Sequence, residues 1–417
     1  MREVAITYSG QIVGSGIGFV IQLLLQRKLG SADYGLLGLA GSTGMLTSVL
    51  TDAGLSHAMV RFSSRHLAEG RADQAWRNFA GAFWIRMGIA LVVAVVGFAS
   101  AGLVATHVFH KPDLLGPLSW QFLGVPAATA YAWWGFFIQS WQRFRLRSVL
   151  QVVLALAKLA AFGVLWLLVP LTPTVAILLD MGANSAGFLL GLATSPKGLF
   201  QVPRQAWWES SRSELLPWCA YTGVMLTGDV LFNELDTFML GVYCPEEVVG
   251  VYRCAWTYAM VLGFLNSSVS NVLFPKVTSI SNPHELRTFL RTIVKLTTFL
   301  AVLTLPALPF LSWWIPYYDI KYAGAVPVFY VMYVGIVFEL VVGPLNYALY
   351  ALDRPQVLVL NAGMKILLNA AANVFLIPLY GAFGAASATI VTRLFGGAFI
   401  LWILRSNLRK ALASGDG

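Results

Sequence analysis

Charged residues are scarce in this sequence, making up 11% of its 417 residues against about 25% in a soluble domain. The apolar set makes up 58%, and the mean hydropathy is +0.71. Such a composition excludes an ordinary soluble protein. Its apolar runs reach the ~20 residues of a bilayer-spanning helix, whereas membrane-barrel strands alternate over about ten. We therefore predict an all-α integral membrane protein.

Residues that could support catalysis or ATP hydrolysis are also missing. The 3 cysteines show no metal-ligand spacing, and the sequence has no Gly-Lys-Ser/Thr phosphate-binding loop. The spans use most of the chain, so the loops are too short for an extramembrane catalytic domain. We expect a protein that is not an enzyme and holds no metal or cofactor. Its net charge of +9 arises in the loops, so a nucleic-acid partner is not needed to explain it.

The apolar runs predict twelve transmembrane helices. They lie near residues 4–26, 35–56, 79–104, 117–138, 149–169, 174–194, 214–240, 250–275, 290–314, 326–351, 356–378 and 384–404. Of the basic residues in the loops, the tails and the span ends beside them, 18 lie on one side of the membrane and 4 on the other. Because lysine and arginine concentrate in cytoplasmic loops, we expect both termini in the cytoplasm.

A thin internal repeat divides the spans into two halves. The phrase "LGSADYG" at residues 29–35 returns as "LGVYCPEEVVG" at 240–250, each between two long helices. Because each half has an even number of helices, both halves enter the membrane from the same side and form a parallel repeat. The alternative is that the two glycine-centred turns match by chance and that no repeat exists. We predict lobes at residues 1–194 and 214–417, joined by an amphipathic cytoplasmic linker at 195–213.

Ionisable residues inside the spans are the best functional signal, because they are costly in the bilayer and face a cavity or a partner. Arg86, Lys295 and Asp52 lie within reach of a cytoplasmic interface, where snorkelling explains them. A stripe with a spacing of four follows one helix and includes a lysine, which favours a cavity lining over interhelical hydrogen bonds. Its members are Asn361, Lys365, Asn369 and Asn373.

The phrases "LGSADYGLLGLAG", "DAGLSHAMVRF", "LDTFMLGVYCPEEVVGVYRCA" and "NAAANVFLIPLYGAFGAASATI" resemble the polysaccharide-export branch of the multidrug/oligosaccharidyl-lipid/polysaccharide flippase superfamily, which includes Wzx-type O-antigen flippases. The resemblance implies two six-helix lobes around a central cavity in the inner membrane. It also implies transfer of a lipid-linked oligosaccharide, commonly carried on undecaprenyl pyrophosphate, to the outer leaflet. Membrane lipids and polysaccharide polymerase or export proteins are the implied partners.

Two alternatives to the flippase remain. A cation-coupled drug antiporter of the same superfamily would show acidic and aromatic lining, but mid-span cations and anions are nearly balanced here. A membrane enzyme of the same sugar pathway would need a catalytic carboxylate or base in a loop, and the loops are short.

The substrate's diphosphate must cross the low-dielectric midplane, so we expect cations to bind it. The candidates are Arg27, Arg61, Lys158, Arg253, Lys365 and Arg393, with Asp229 or Glu339 as charge partners when substrate is absent. A fixed Lys365–Glu339 pair without a substrate role is the alternative.

Related lipid flippases suggest a sodium site. The residues at similar places here are Asp236, Asn369, Asn373 and Thr389. They imply coupling to Na⁺ or H⁺, and the alternative is a plain Asp236–Arg253 ion pair.

Overall fold

The structure is a computed structural model that describes residues 2–195, 198, 201–278, 280, 282–352, 354 and 356–415. Its described residues are mostly helical, with short turns between the helices, and contain no strand. The helices are α1 (Arg2–Asp52), α2 (Leu55–Ala68), α3 (Ala72–Leu103), α4 (Leu115–Ser140), α5 (Phe144–Leu168), α6 (Pro173–Thr194), α7 (Arg204–Ser210), α8 (Leu216–Tyr243), α9 (Glu246–Thr278), α10 (Pro283–Leu303), α11 (Ala307–Tyr318), α12 (Ala325–Val342), α13 (Ala348–Ala351) and α14 (Gln356–Gly415).

Seven helical segments of the described chain are long and apolar enough to cross a membrane. Two of them, Gly10–Asp52 and Gln356–Leu408, far exceed one membrane thickness, and each contains a residue with non-helical backbone angles. The predicted all-α membrane fold is therefore confirmed, and the arrangement is compatible with twelve spans.

The first of these long segments turns back at Gly30, where φ is 77° and ψ is 177°. The hydroxyl of Tyr34 donates to Gln22 at 3.1 Å and accepts from the side-chain amide of Gln26 at 3.2 Å. A straight helix would separate residues 26 and 34 by about 12 Å. The Leu-Gly phrase predicted as a turn is thus a turn, and its polar residues tie the two arms together.

The second long segment, α14, turns at Gly381, where φ is 55° and ψ is −129°. Only glycine adopts these angles readily. We call residues 356–380 the first arm and residues 382–415 the second arm. A Cβ on Gly384 would lie 2.1 Å from the carbonyl oxygen of Leu376, so the arms touch backbone to backbone. The turn predicted in the Ile-Pro-Leu-Tyr-Gly stretch is confirmed.

The chain divides into two compact units, Met1–Glu234 and Leu235–Gly417, with the boundary inside α8. The first unit has an aromatic core in which Trp133 donates to the carbonyl of Phe79 at 3.2 Å and the rings of Phe79 and Phe137 lie 4.7 Å apart. The second unit has an apolar core that includes Leu273, Leu290, Leu345 and Leu404. The lobes with a linker at 195–213 stay a prediction.

Within that linker, residues 196, 197, 199 and 200 lie outside the described part of the chain. The described part includes α7 and leads into a π-helical turn at Ser211–Leu215, and Trp207 and Leu215 of these elements pack in the aromatic core of the first unit. Glu214 accepts from Asn78 at 2.8 Å and lies 2.9 Å from the imidazole of His66. Burial alone would raise the pKa of Glu214, but these hydrogen bonds and the charge of Arg71 outweigh it, so the pKa is lowered.

Candidate functional site

The candidate site is a polar cluster in the second unit, centred on Asp236 of α8. This carboxylate is 2% exposed. One oxygen accepts from the side-chain amide of Asn373 at 2.7 Å. The other accepts from the hydroxyl of Tyr252 on α9 at 2.8 Å and from the hydroxyl of Thr389. Three neutral donors therefore surround a buried acid.

The α14 hairpin brings the amide and hydroxyl groups together. Asn369 and Asn373 lie one helical turn apart on the first arm, and Thr389 lies on the second arm. Asn369 donates to the hydroxyl of Thr389 at 3.2 Å and accepts from Asn373 at 3.1 Å. Without the turn, residues 369 and 389 would lie about 30 Å apart on a straight helix. Both asparagines are fully buried.

The donor set of this cluster suits a small hard cation. Carboxylate, amide and hydroxyl oxygens are the ligands that such cations prefer. The amide oxygen of Asn373 is buried and accepts no hydrogen bond within the described structure, which leaves a lone pair for a cation. An ionised carboxylate surrounded by neutral groups also needs a compensating charge in a low-dielectric setting. The residues present therefore fit Na⁺, and a proton on Asp236 would satisfy the same need.

All four residues predicted as an ion site lie together in this cluster. Tyr252 belongs to the cluster as well. The sequence did not single out this tyrosine, because the prediction started from the charged residues inside the spans. A tyrosine inside an otherwise apolar run was the available signal. Arg253, the alternative partner, is not among the hydrogen-bond partners of Asp236 in the described residues.

The predicted substrate cations of the second unit lie along the same hairpin. Lys365 is half-buried, and a Cβ on Gly396 would meet its Cδ at 2.8 Å. Arg393 is one turn from Gly396 on the second arm, with its Cδ 3.5 Å from the Cβ position of Gly335 on α12. The lysine of the first arm thus faces the arm that carries the arginine.

The other predicted cation of this unit and its predicted charge partner are half-buried. Arg253 lies on α9 and Glu339 on α12, where the carboxylate of Glu339 approaches Gly343. The residues of the first-arm stripe lie in different surroundings. Asn369 donates to Thr389 on the second arm, and Asn373 donates to Asn369 on the same arm. Lys365 is partly exposed. The role of the stripe as a cavity lining stays a prediction.

Two expectations for the first unit need correction. Lys158 on α5 pairs with Asp180 on α6, rather than with Asp229 or Glu339. Asp180 lies on α6, which follows α5 in the chain and packs against it. Arg86 does not snorkel: it is 4% exposed, lies 3.4 Å from Asp52 and donates to Ser56. Packing between α2 and α3 holds it inside the unit.

The remaining predicted residues of the first unit lie at exposed positions. Arg61 on α2 stacks over the ring of Trp218 at 3.7 Å. Arg27 on the first helix is exposed beside Lys28, whose ammonium lies 4.8 Å from the ring of Trp166. Asp229 on α8 is also exposed. The role of these residues in binding the substrate stays a prediction.

A family model described as "Polysaccharide biosynthesis protein" matches residues 1–281. Two curated proteins of Haloferax volcanii are similar to part of the chain. "Probable flippase AglR" is 27% identical over 196 residues, covering 45% of this chain and 41% of that protein. "Probable low-salt glycan biosynthesis flippase Agl15" is 22% identical over 212 residues, covering 50% and 45%. The matched stretch is less than half the length of each relative.

Solved structures share the fold over nearly the whole chain. A structure of lipid II flippase MurJ in an inward closed conformation gives a TM-score of 0.70 at 12% identity, covering 98% of this chain and 89% of that one. An inward-facing multidrug resistance MATE family transporter of the MOP superfamily gives 0.72 at 12% identity, covering 96% of both. At this identity the likeness shows the MOP transporter fold alone.

Proposed function

Because this chain belongs to the polysaccharide biosynthesis protein family, we propose that it is a flippase that moves a lipid-linked oligosaccharide across the membrane. The family match over residues 1–281 carries the proposal, and the names of the two Haloferax relatives support it. These relatives are flippases rather than enzymes, so we propose no catalytic step. Undecaprenyl pyrophosphate is the proposed carrier, and polymerase or export proteins of the same pathway are the proposed partners.

We propose the cytoplasmic membrane as the location, with both termini inside. The asymmetry of 18 basic residues against 4 in the loops, the tails and the adjoining span ends supports this orientation. The sugar then enters from the cytoplasmic leaflet, and alternating access delivers it to the outer leaflet.

Lys365 and Arg393 are the proposed diphosphate-binding residues. A lipid tail can remain in the bilayer during transfer, but the charged head group must pass a region where an uncompensated anion is very costly. Arginine offers a forked pair of donors to phosphate oxygens, and lysine offers a mobile point charge. Their placement on facing arms of α14 puts both cations on one element. Contributions from Arg27, Arg61, Lys158 and Arg253 stay predictions.

We further propose that transport is coupled to a cation at Asp236, held with Asn369, Asn373 and Thr389. The buried acid with neutral donors supports this. The second arm carries Thr389 of the cation site as well as Arg393, so a cation bound at the site would bias the position of the arm that holds Arg393. Na⁺ and H⁺ are both compatible with the donor set.

A drug/cation antiporter is the second candidate function, since the MATE transporter matches the fold as well as MurJ does. One reconstitution experiment separates the two. The purified protein is placed in vesicles containing a fluorescent undecaprenyl-diphosphate-linked oligosaccharide, and an impermeant reductant quenches the outer leaflet. We expect quenching of the whole lipid pool. Passage of an organic cation without passage of the lipid would overturn the flippase proposal.

The same assay tests the binding residues. We expect K365Q/R393Q to slow lipid transfer by about a hundredfold or more, because two charge-assisted contacts of about 1.5–3 kcal/mol each are lost. The matched control is K321Q/R354Q, which removes one lysine and one arginine from exposed positions of the same unit. Equal rates for the two double variants would remove the binding role while leaving the flippase function intact.

Cation coupling has a binding readout that does not depend on transport. The thermal stability of the purified protein is measured in NaCl and in choline chloride at equal ionic strength. We expect Na⁺ to stabilise the wild type and E247Q, whose exposed carboxylate lies on α9, but not D236N. A stabilisation by acid rather than Na⁺ would assign the site to protons. Indifference to both would refute coupling at Asp236.

A further inference from the structure

The second unit contains a cavity of about 750 Å³ between α10, the turn at Gly343–Tyr347 and the second arm of α14. One part of its wall is apolar and consists of leucine and valine side chains, among them the buried Leu290, Leu345 and Leu404. The other part carries four basic residues, which are Arg287, Arg291, Lys295 and Arg405. No acidic residue lines it among the described residues.

The basic residues form an ordered row. Arg287, Arg291 and Lys295 are spaced by four, so they share one face of α10 and span about 12 Å along its axis. Arg405 supplies a fourth charge from the second arm. Glu285 lies in the first turn of α10, about 160° around the helix from Arg287, and therefore points away from the row.

These cations differ from the paired basic residues of the first unit. There, Arg65 and Arg71 both bond to Glu69. None of the four cavity cations makes an ion pair or a side-chain hydrogen bond with a described residue. Four like charges gathered around one cavity repel each other, so the arrangement favours an anion as its counter-charge.

We propose that this cavity binds an anionic phospholipid. The lipid belongs to the leaflet on the predicted cytoplasmic side, where most of the basic loops lie. The phosphate head group contacts the row of cations, and an acyl chain fills the leucine-lined part. A soluble phosphate would leave the apolar wall unused, and a zwitterionic lipid offers no net charge to the four cations. The site lies outside the Asp236 cluster and does not depend on the flippase function.

The test uses the purified full-length protein, stripped of lipid in detergent. Binding of phosphatidylglycerol is measured by native mass spectrometry and by thermal stability, with phosphatidylcholine and inorganic phosphate as comparison ligands. We expect phosphatidylglycerol alone to bind tightly. R287Q/R291Q/R405Q should weaken its binding on the order of a hundredfold, because each basic residue near an anionic lipid surface contributes about a fivefold factor.

The matched control is R77Q/R204Q/R212Q, which removes the same number of exposed arginines from the predicted basic face outside the cavity. It should bind phosphatidylglycerol like the wild type. A second variant, Leu401→Trp, narrows the apolar part of the cavity without changing its charge. It should also weaken the binding of phosphatidylglycerol. This variant tests the proposal even if the triple variant does not fold.

Three results would overturn the proposal. The first is equal weakening in the two triple variants, which would show a general charge effect. The second is equal binding of phosphatidylcholine or full competition by inorganic phosphate. The third is displacement of phosphatidylglycerol by an equimolar undecaprenyl-diphosphate-linked sugar, which would assign the cavity to the transported substrate.

Discussion

Substitution of Gly384 by alanine tests whether the α14 hairpin builds the polar cluster. A Cβ at this position would lie 2.1 Å from the carbonyl oxygen of Leu376 and 2.6 Å from its carbonyl carbon. Ordinary van der Waals contacts of a Cβ lie at 3.4–4 Å, so the arms must separate by more than about 1 Å. The clashing atoms belong to the backbone, and no flexible side chain can move away to relieve the contact.

The expected cost follows from this geometry. Forcing an extra methyl group into a packed contact costs about 1–3 kcal/mol. For a folding unit of roughly 150–250 residues, 1 kcal/mol shifts the Tm by about 2–4 °C, so we expect a decrease of about 2–12 °C. Because Asn369 and Thr389 sit on opposite arms, their 3.2 Å hydrogen bond lengthens and the stabilisation by Na⁺ declines as well.

Thermal unfolding of the purified chain, recorded in NaCl and in choline chloride, measures both effects. The control is Gly363→Ala on the first arm, where an added Cβ meets no atom within 4 Å. There the better helix propensity of alanine should raise stability by up to about 1 kcal/mol. If Gly384→Ala unfolds at the wild-type temperature and keeps its response to Na⁺, the close approach of the arms does not support the cluster.

Three further predictions follow from other contacts. Tyr252→Phe removes one donor to Asp236, so we expect a loss of about 0.5–1.5 kcal/mol in stability and a changed half-saturation for Na⁺ in the same thermal assay. Because the pKa of Glu214 is lower in the folded state, its ionised carboxylate stabilises the fold at pH values above the ordinary pKa of about 4.3. This contribution disappears as the pH falls through the pKa of the folded state. A pH series of unfolding midpoints should show the loss in the wild type but not in E214Q. Reporter fusions after Gly417 and beside Lys111 should report opposite sides of the membrane, and the same side for both would refute the orientation.

The polar cluster around Asp236 and the basic cavity both include residues of the second arm of α14. One end of this arm carries Thr389 and Arg393, and the other end carries Arg405 at the lipid cavity. A bound cation and a bound lipid would each restrain the arm at one end. Double measurements of Na⁺ and phosphatidylglycerol binding would show whether the two ligands affect each other, since any coupling must be reciprocal.

Some features were predictable because they depend on short stretches of chain. The turns at Gly30 and Gly381 follow from glycine in a local break between apolar runs, and both exist in the structure. The spacing of Asn369 and Asn373 places them on one helical face, so their neighbourhood follows from helical periodicity. The position of Asp236 and Thr389 beside them came only from resemblance to related flippases.

The sequence by itself determined the membrane class, the predominance of helices and the places where helices turn, because apolar length and glycine conformation act locally. Tertiary structure alone decided the partners of the charged and polar groups. Lys158 pairs with Asp180 and Arg86 lies beside Asp52, although other acids were candidates by sequence. Tyr252 joined the cluster in the same way. The physical reason is that hydrogen bonds and ion pairs act over a few ångströms, so packing between distant segments selects which groups meet.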